Sequence, residues 1–237
     1  TREPEGTPAR ETSRTSKEFW RGLREIMKRD ANFRVFVSAR ALAQIASVGS
    51  AFFTVYAVRH FNMDAATAGV MTGLSLLIRT LADPLCGWLG DRYSHRLMFA
   101  LGVLLAALSA AVALFAPSLE WFYLVFMLAG AANSGLWPTV NALTVEFGTE
   151  EERPYYIGLA NTLVAPVTVL APIFGGWLAD TVGNSATYDR LAQTLAAPDH
   201  LVNSIASHWV DSSVGYQATF GVAALVGVLT VLMVIAL

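Results

Sequence analysis

Six long apolar runs, at 35–58, 66–89, 97–116, 121–145, 155–178 and 215–237, alternate with polar joints along the chain. Each has about twenty residues or more, the length at which a helix rising 1.5 Å per residue crosses roughly 30 Å of hydrocarbon. A soluble core helix of that length keeps a polar face, and these runs mostly lack one. Residues 101–117 and 220–237 hold no charged side chain at all. Hydrocarbon does not solvate free backbone N–H and C=O groups, so the pattern predicts six transmembrane helices.

Composition sharpens this picture. Hydrophobic residues make up 54% and charged residues 14% of the chain, where a soluble domain is nearer a quarter charged. The charges gather in the leader and the joints. Residues 1–34 hold nine of the sixteen lysines and arginines, and Arg92, Arg96 and Arg153 follow the second and fourth runs. The opposite joints carry only Arg59 and Arg190. By the positive-inside bias, the leader and both termini are expected in the cytoplasm, in a plasma or bacterial inner membrane. The first thirty residues are polar, so no signal peptide is expected. The lone Cys86 allows no intrachain disulfide.

Two regions fall outside the runs. Residues 1–34 read as a cytoplasmic linker. Within it, 1–16 are rich in Thr, Ser, Pro, Arg and Glu, and 17–30 form a short amphipathic helix with Trp20, Leu23 and Met27 on one stripe. That stripe suits an anionic inner leaflet, and a solvated connector fits equally. The bundle then occupies 35–237, with an extracytoplasmic loop insertion at 183–214 in which 191–197 and 201–210 are candidate surface helices.

An internal repeat links the two halves of the bundle. Gly87-Trp88-Leu89 and Asp91 close the second run, and Gly176-Trp177-Leu178 and Asp180 close the fifth. The two trios of helices have opposite topology, the arrangement of 3+3 inverted-repeat carriers. The first copy continues through Arg92, His95 and Arg96. It resembles the G-x-x-x-D-R-x-G-[RH]-[RK] signature of major facilitator superfamily transporters, with Ser94 where that family usually has glycine. The resemblance implies an all-α membrane fold, and a cytoplasmic charge cluster of Gly87, Asp91, Arg92, His95 and Arg96 that acts as a conformational switch. The plainer alternative is a polar turn with inside-positive anchoring. Family members have twelve helices, so the resemblance further implies that this chain is the C-terminal six-helix half. Its expected partner is a missing N-terminal half or a second copy.

Polar residues inside membrane spans are costly and therefore mark candidate solute or ion pathways. Those of the first run are Arg40, Gln44 and Tyr56, and those of the second are Arg79 and Asp83, four apart on one helix face. Arg79 and Asp83 read either as a structural pair or as a site where Asp83 binds a coupling proton or cation. Asp83-Pro84 leading to Gly87 and Asp91 also resembles the second helix of sugar–cation symporters, which carry an acidic residue where Arg79 stands. Asn133, Trp137 and Asn141 recur at spacing four on the fourth run, and Asn161 lies on the fifth with Thr168. Glu146 and Glu150, Glu151 and Glu152 read as solvated rim residues.

Little points to an enzyme. His60, His95, His200 and His208 have no metal-ligand spacing, no P-loop is present, and only Asp83 is acidic inside a run. No metal, cofactor or nucleic-acid partner is expected. The expected function is secondary active transport of a small molecule by alternating access, with ion or proton coupling. The alternatives are a sugar–cation symporter and a non-transporting membrane scaffold or sensor.

Overall fold

The computed structural model describes residue 24 and residues 26–150, 152–182 and 212–235. Among these residues, seven long helices follow in order: α1 (Ala31–Ala46), α2 (Val48–Phe61), α3 (Ala65–Arg92), α4 (His95–Phe115), α5 (Trp121–Glu146), α6 (Arg153–Val182) and α7 (Ser212–Ile235). Most of the loop insertion lies outside the described residues, as do Trp20 and Leu23 of the leader. Residues 26–29 are helical, and Ile26 and Met27 pack against the bundle core.

Among the described residues, five stretches are long and apolar enough to cross a membrane: Ala31–Phe61, Ala65–Arg92, His95–Phe115, Arg153–Val182 and Val214–Ile235. Helix α5 is as long, at 26 residues, but falls short in hydropathy. Its Asn133, Trp137, Pro138 and Asn141 explain the shortfall.

The helix ends follow from local chemistry. Asp30 caps α1 by accepting from the Phe33 N–H at 2.9 Å, and Asp64 caps α3 through Thr67. Hydrogen bonding to the Thr67 side chain, and less strongly to the backbone N–H groups of the cap, holds the Asp64 carboxyl below its ordinary range. Asn62 ends α2 with φ 51, a left-handed conformation that asparagine tolerates. The first predicted run is divided at Ser47. There the Ser47 hydroxyl donates to the Ala43 carbonyl at 2.8 Å, and Ser50 donates to the Ser47 carbonyl at 2.7 Å. Hydroxyls that bond backward in this way, beside Gly49, bend a helix. At the α3–α4 turn, Ser94 has φ −173, an extended conformation open to any residue. Its hydroxyl accepts from the Arg96 N–H at 3.2 Å. Serine therefore serves as the cap of α4 where the family signature has glycine.

Two apolar clusters hold the bundle. One gathers Phe33, Phe36, Phe99, Leu143, Tyr156 and Leu159, and the other Phe53, Tyr56, Phe122, Phe126 and Phe220. Helices α4 and α5 meet at Gly102 and Gly135. A methyl on either would stand 2.8–2.9 Å from the opposite backbone, so only glycine permits this approach. Helix α3 leans on α5, where Ser134 donates to the Arg79 carbonyl at 3.0 Å. Its buried residues are Met71 and Gly90 alone, while Leu77, Leu81, Leu85 and Trp88 stay exposed.

Candidate functional site

Beside the first cluster, whose Ala43, Phe99, Val140 and Val164 help line it, lies a cavity of about 290 Å³. The break at Ser47 opens one wall, with Arg40 and Gln44 on its α1 side and Ser50 on its α2 side. Asn133 and Trp137 of α5, Thr168 and Pro172 of α6 and Phe99 of α4 also line it. Pro166 and Pro172 lie inside α6, and Pro138 inside α5. Each removes a ladder hydrogen bond beside the cavity.

Arg40 dominates the electrostatics. Its Nη2 donates to Asn161 Oδ1 at 2.8 Å, a bond between residues 121 apart in sequence. No Asp or Glu lines the cavity, and no carboxylate lies in ion-pair range of Arg40 among the described residues.

The structure brings some predicted residues together and separates others. Gln44, Asn133 and Trp137 line the cavity, and Asn161 reaches it through Arg40. Asn133 donates to the Ala129 carbonyl of its own helix, at 2.8 Å. Asn141 lies one turn past Trp137, where it donates to the Trp137 carbonyl at 3.3 Å, and it does not line the cavity. Tyr56 stands apart in the second cluster, 1% exposed, accepting from Gln217 at 3.3 Å. Arg79 and Asp83 also lie elsewhere, 3.9 Å apart on the outer side of α3. One Asp83 oxygen is shielded and has no hydrogen-bond partner among the described residues.

The charged motif sits at the α3–α4 turn. His95 Nε2 lies 3.6 Å from Asp91 and 4.0 Å from Glu146 at the end of α5. His95 thus stands where the ends of α3, α4 and α5 come together. Gly90 packs against the His95 ring, where a methyl would meet Nδ1 at 2.8 Å. Arg92 stacks over Trp88 at 5.4 Å. Gly87 has open space around it. Glu146 is exposed, as expected of a solvated rim residue, and also comes within 4.0 Å of His95.

A second charged contact escaped the sequence reading. Arg29 donates to both Glu152 oxygens, at 3.0 and 3.1 Å, and to the Tyr156 hydroxyl at 3.5 Å. Tyr156 in turn donates to Asp30 at 3.4 Å. The bond from Arg29, followed by the Thr149 N–H, holds the Glu152 carboxyl below its ordinary range. Bonds to Tyr156 and then Glu152 raise the Arg29 guanidinium. No local signal announces a pair 123 residues apart; the only hint was an acidic joint opposite a basic leader.

With this geometry in view, comparison with known proteins decides the family. A profile described as Major Facilitator Superfamily matches residues 35–237. The chain belongs to the major facilitator superfamily. It is therefore an integral membrane protein of a transporter family rather than an enzyme. Multidrug resistance protein 1 of Bacillus subtilis is 22% identical over 123 residues, 52% of this chain and 32% of that protein. Multidrug resistance protein MdtG of Dickeya zeae is 29% identical over 49% of this chain and 28% of that protein. The niacin transporter NiaP of Acinetobacter baylyi is 26% identical over 56% and 32%. The matched stretch spans about a third of the length of these curated relatives.

Proposed function

We propose that this chain is the C-terminal six-helix half of a secondary active transporter that moves a small solute by alternating access. The observation that carries the reading is the polar cavity among α1, α4, α5 and α6, set in a bundle of this family. In this reading α5 is the sixth span, its polar stripe turned partly to the cavity, and the helices form two inverted trios. Both termini lie in the cytoplasm, as the basic leader and the Arg92 and Arg96 joint favour. The 1–34 linker and the 183–214 insertion flank the bundle on opposite sides of the membrane.

The exposed apolar faces of α3 and α6, with Leu81, Leu85, Ile173 and Trp177, suit contact with an N-terminal half, a second copy or lipid. The cluster of Asp91, His95 and Glu146 is the switch: its contacts are long, half-exposed and easily exchanged when α3 moves against α5. Arg92 and Arg96 anchor it at the membrane surface. Arg79 and Asp83 serve as a mutually neutralising pair, which favours a plain facilitator-type carrier over the sugar–cation symporter reading. The names of the relatives span drugs and niacin, so the solute is sought among small organic molecules, driven by an ion or proton gradient.

Flux into proteoliposomes carrying the full-length gene product tests the reading. Asp91→Asn is expected to abolish flux while leaving solute binding in place. A wild-type protein that moves no solute under any imposed gradient refutes transport and favours a scaffold or sensor.

A further inference from the structure

Resting on the reading of the cavity as the solute path, we infer that it is an anion site: Arg40 takes the carboxylate of a small organic acid whose apolar body lies against Phe99 and Trp137. Among the described residues Arg40 is the one charged side chain lining the cavity, and its partner there is a neutral amide oxygen. A cation in a membrane-spanning segment is costly unless something neutralises it. Arg79 meets that requirement with Asp83 at 3.9 Å; among the described residues no carboxylate does so for Arg40.

A guanidinium carries five N–H donors in a planar fork that matches a carboxylate. The bond to Asn161 engages Nη2 and holds that fork at the edge of the cavity. The remaining polar lining is neutral, with Gln44, Ser47, Asn133 and Thr168, and the rest is mostly aliphatic or aromatic. A cationic solute would meet repulsion there with no carboxylate to offset it. The volume lies near the small end of ordinary ligand sites, roughly 300–1,000 Å³, which suits a single-ring acid.

The test uses the full-length protein in neutral detergent, with benzoate, benzamide and benzyltrimethylammonium as probes of one shape and three charges. Benzoate is expected to raise the thermal midpoint and to bind at least about tenfold more tightly than the other two. Arg40→Met is expected to weaken benzoate about 10- to 100-fold, with Arg40→Lys retaining part of the affinity. Asn161→Asp keeps the side-chain shape but sets a carboxylate beside Arg40. It is expected to suppress benzoate binding while leaving the fold as stable as before. A merely structural Arg40–Asn161 tie would instead tighten in this variant and leave benzoate binding unchanged, which overturns the inference. Equal binding of all three probes overturns it as well. So does Arg40-dependent stabilisation by phosphatidylglycerol with none by benzoate, which would assign the guanidinium to a lipid headgroup. Flux of a cation without benzoate binding removes the anion site and leaves transport standing. Benzoate binding without any flux keeps the site and removes transport.

Discussion

The α4–α5 seam and helix α3 are built from similarly apolar sequence, yet they stand in opposite relation to the bundle. Along the seam, backbones touch at Gly102 and Gly135, whereas α3 makes its close approach to α5 at Ser75, against Gly130. Elsewhere on α3, Gly69, Gly73 and Gly87 have nothing within 4 Å, and six large apolar side chains, Val70, Leu76, Leu77, Leu81, Leu85 and Trp88, are exposed. Lipid tails are as apolar as leucine, so hydrophobicity cannot say which helix lies inside a membrane bundle. Close approach of small residues decides it.

The two arginines repeat the lesson in charge. Arg79 sits on the peripheral helix with its own carboxylate one turn away, whereas Arg40 faces the cavity with a neutral partner on another helix. The outer charge is balanced locally. The inner one is left for something else to balance.

The sharpest way to break this contrast is Gly135→Val. Its side chain would collide with the α4 backbone, and a loss of about 2–3 kcal/mol is expected, read as a drop in thermal midpoint with loss of monodisperse protein. A midpoint within a degree of wild type would mean that the seam is not close-packed.

A double-mutant cycle of Arg79→Gln and Asp83→Asn comes next. The half-exposed pair at 3.9 Å is expected to couple by roughly 0.5 kcal/mol. Coupling several times larger would make it a buried functional site instead.

The Arg29–Glu152 contact offers a pH dependence with a definite sign. The carboxyl of Glu152 is depressed in the folded protein, so its contribution is present above the ordinary 4.5 and is lost as pH falls through the lower folded value. The difference in midpoint between wild type and Glu152→Gln is expected to hold steady above pH 4.5 and to shrink in more acid solution. A difference that grows on acidification contradicts the pairing.

The smallest expected effect is Gly73→Ala on α3, within about 0.5 kcal/mol of wild type because the added methyl meets open space. A large loss there would show that α3 is covered by a partner in the full-length protein.

Much of this was legible in the residues. The run lengths marked out the helices to within a few residues, because every backbone group in hydrocarbon must bond within its own segment. The break at Ser47 was foreshadowed only by Gly49 and Ser50, since a hydroxyl that bonds backward leaves no trace in hydropathy. Of the stripe Asn133, Trp137 and Asn141, the first two reach the cavity, while Asn141 passes it. Spacing four fixes a shared helix face, but the depth of the cavity along that face depends on neighbouring helices. Tyr56 looked equally eligible and lies in the aromatic core.

The sequence by itself determined that the chain is a set of membrane helices with a charged turn after the second predicted span, because burial in lipid and capping are local constraints. Only the tertiary structure decided which polar groups meet. The Arg40–Asn161 bond, the approach of Glu146 to His95 and the Arg29–Glu152 contact join residues 121, 51 and 123 positions apart. Such meetings depend on how close two helices come, and that distance is set by the small residues between them.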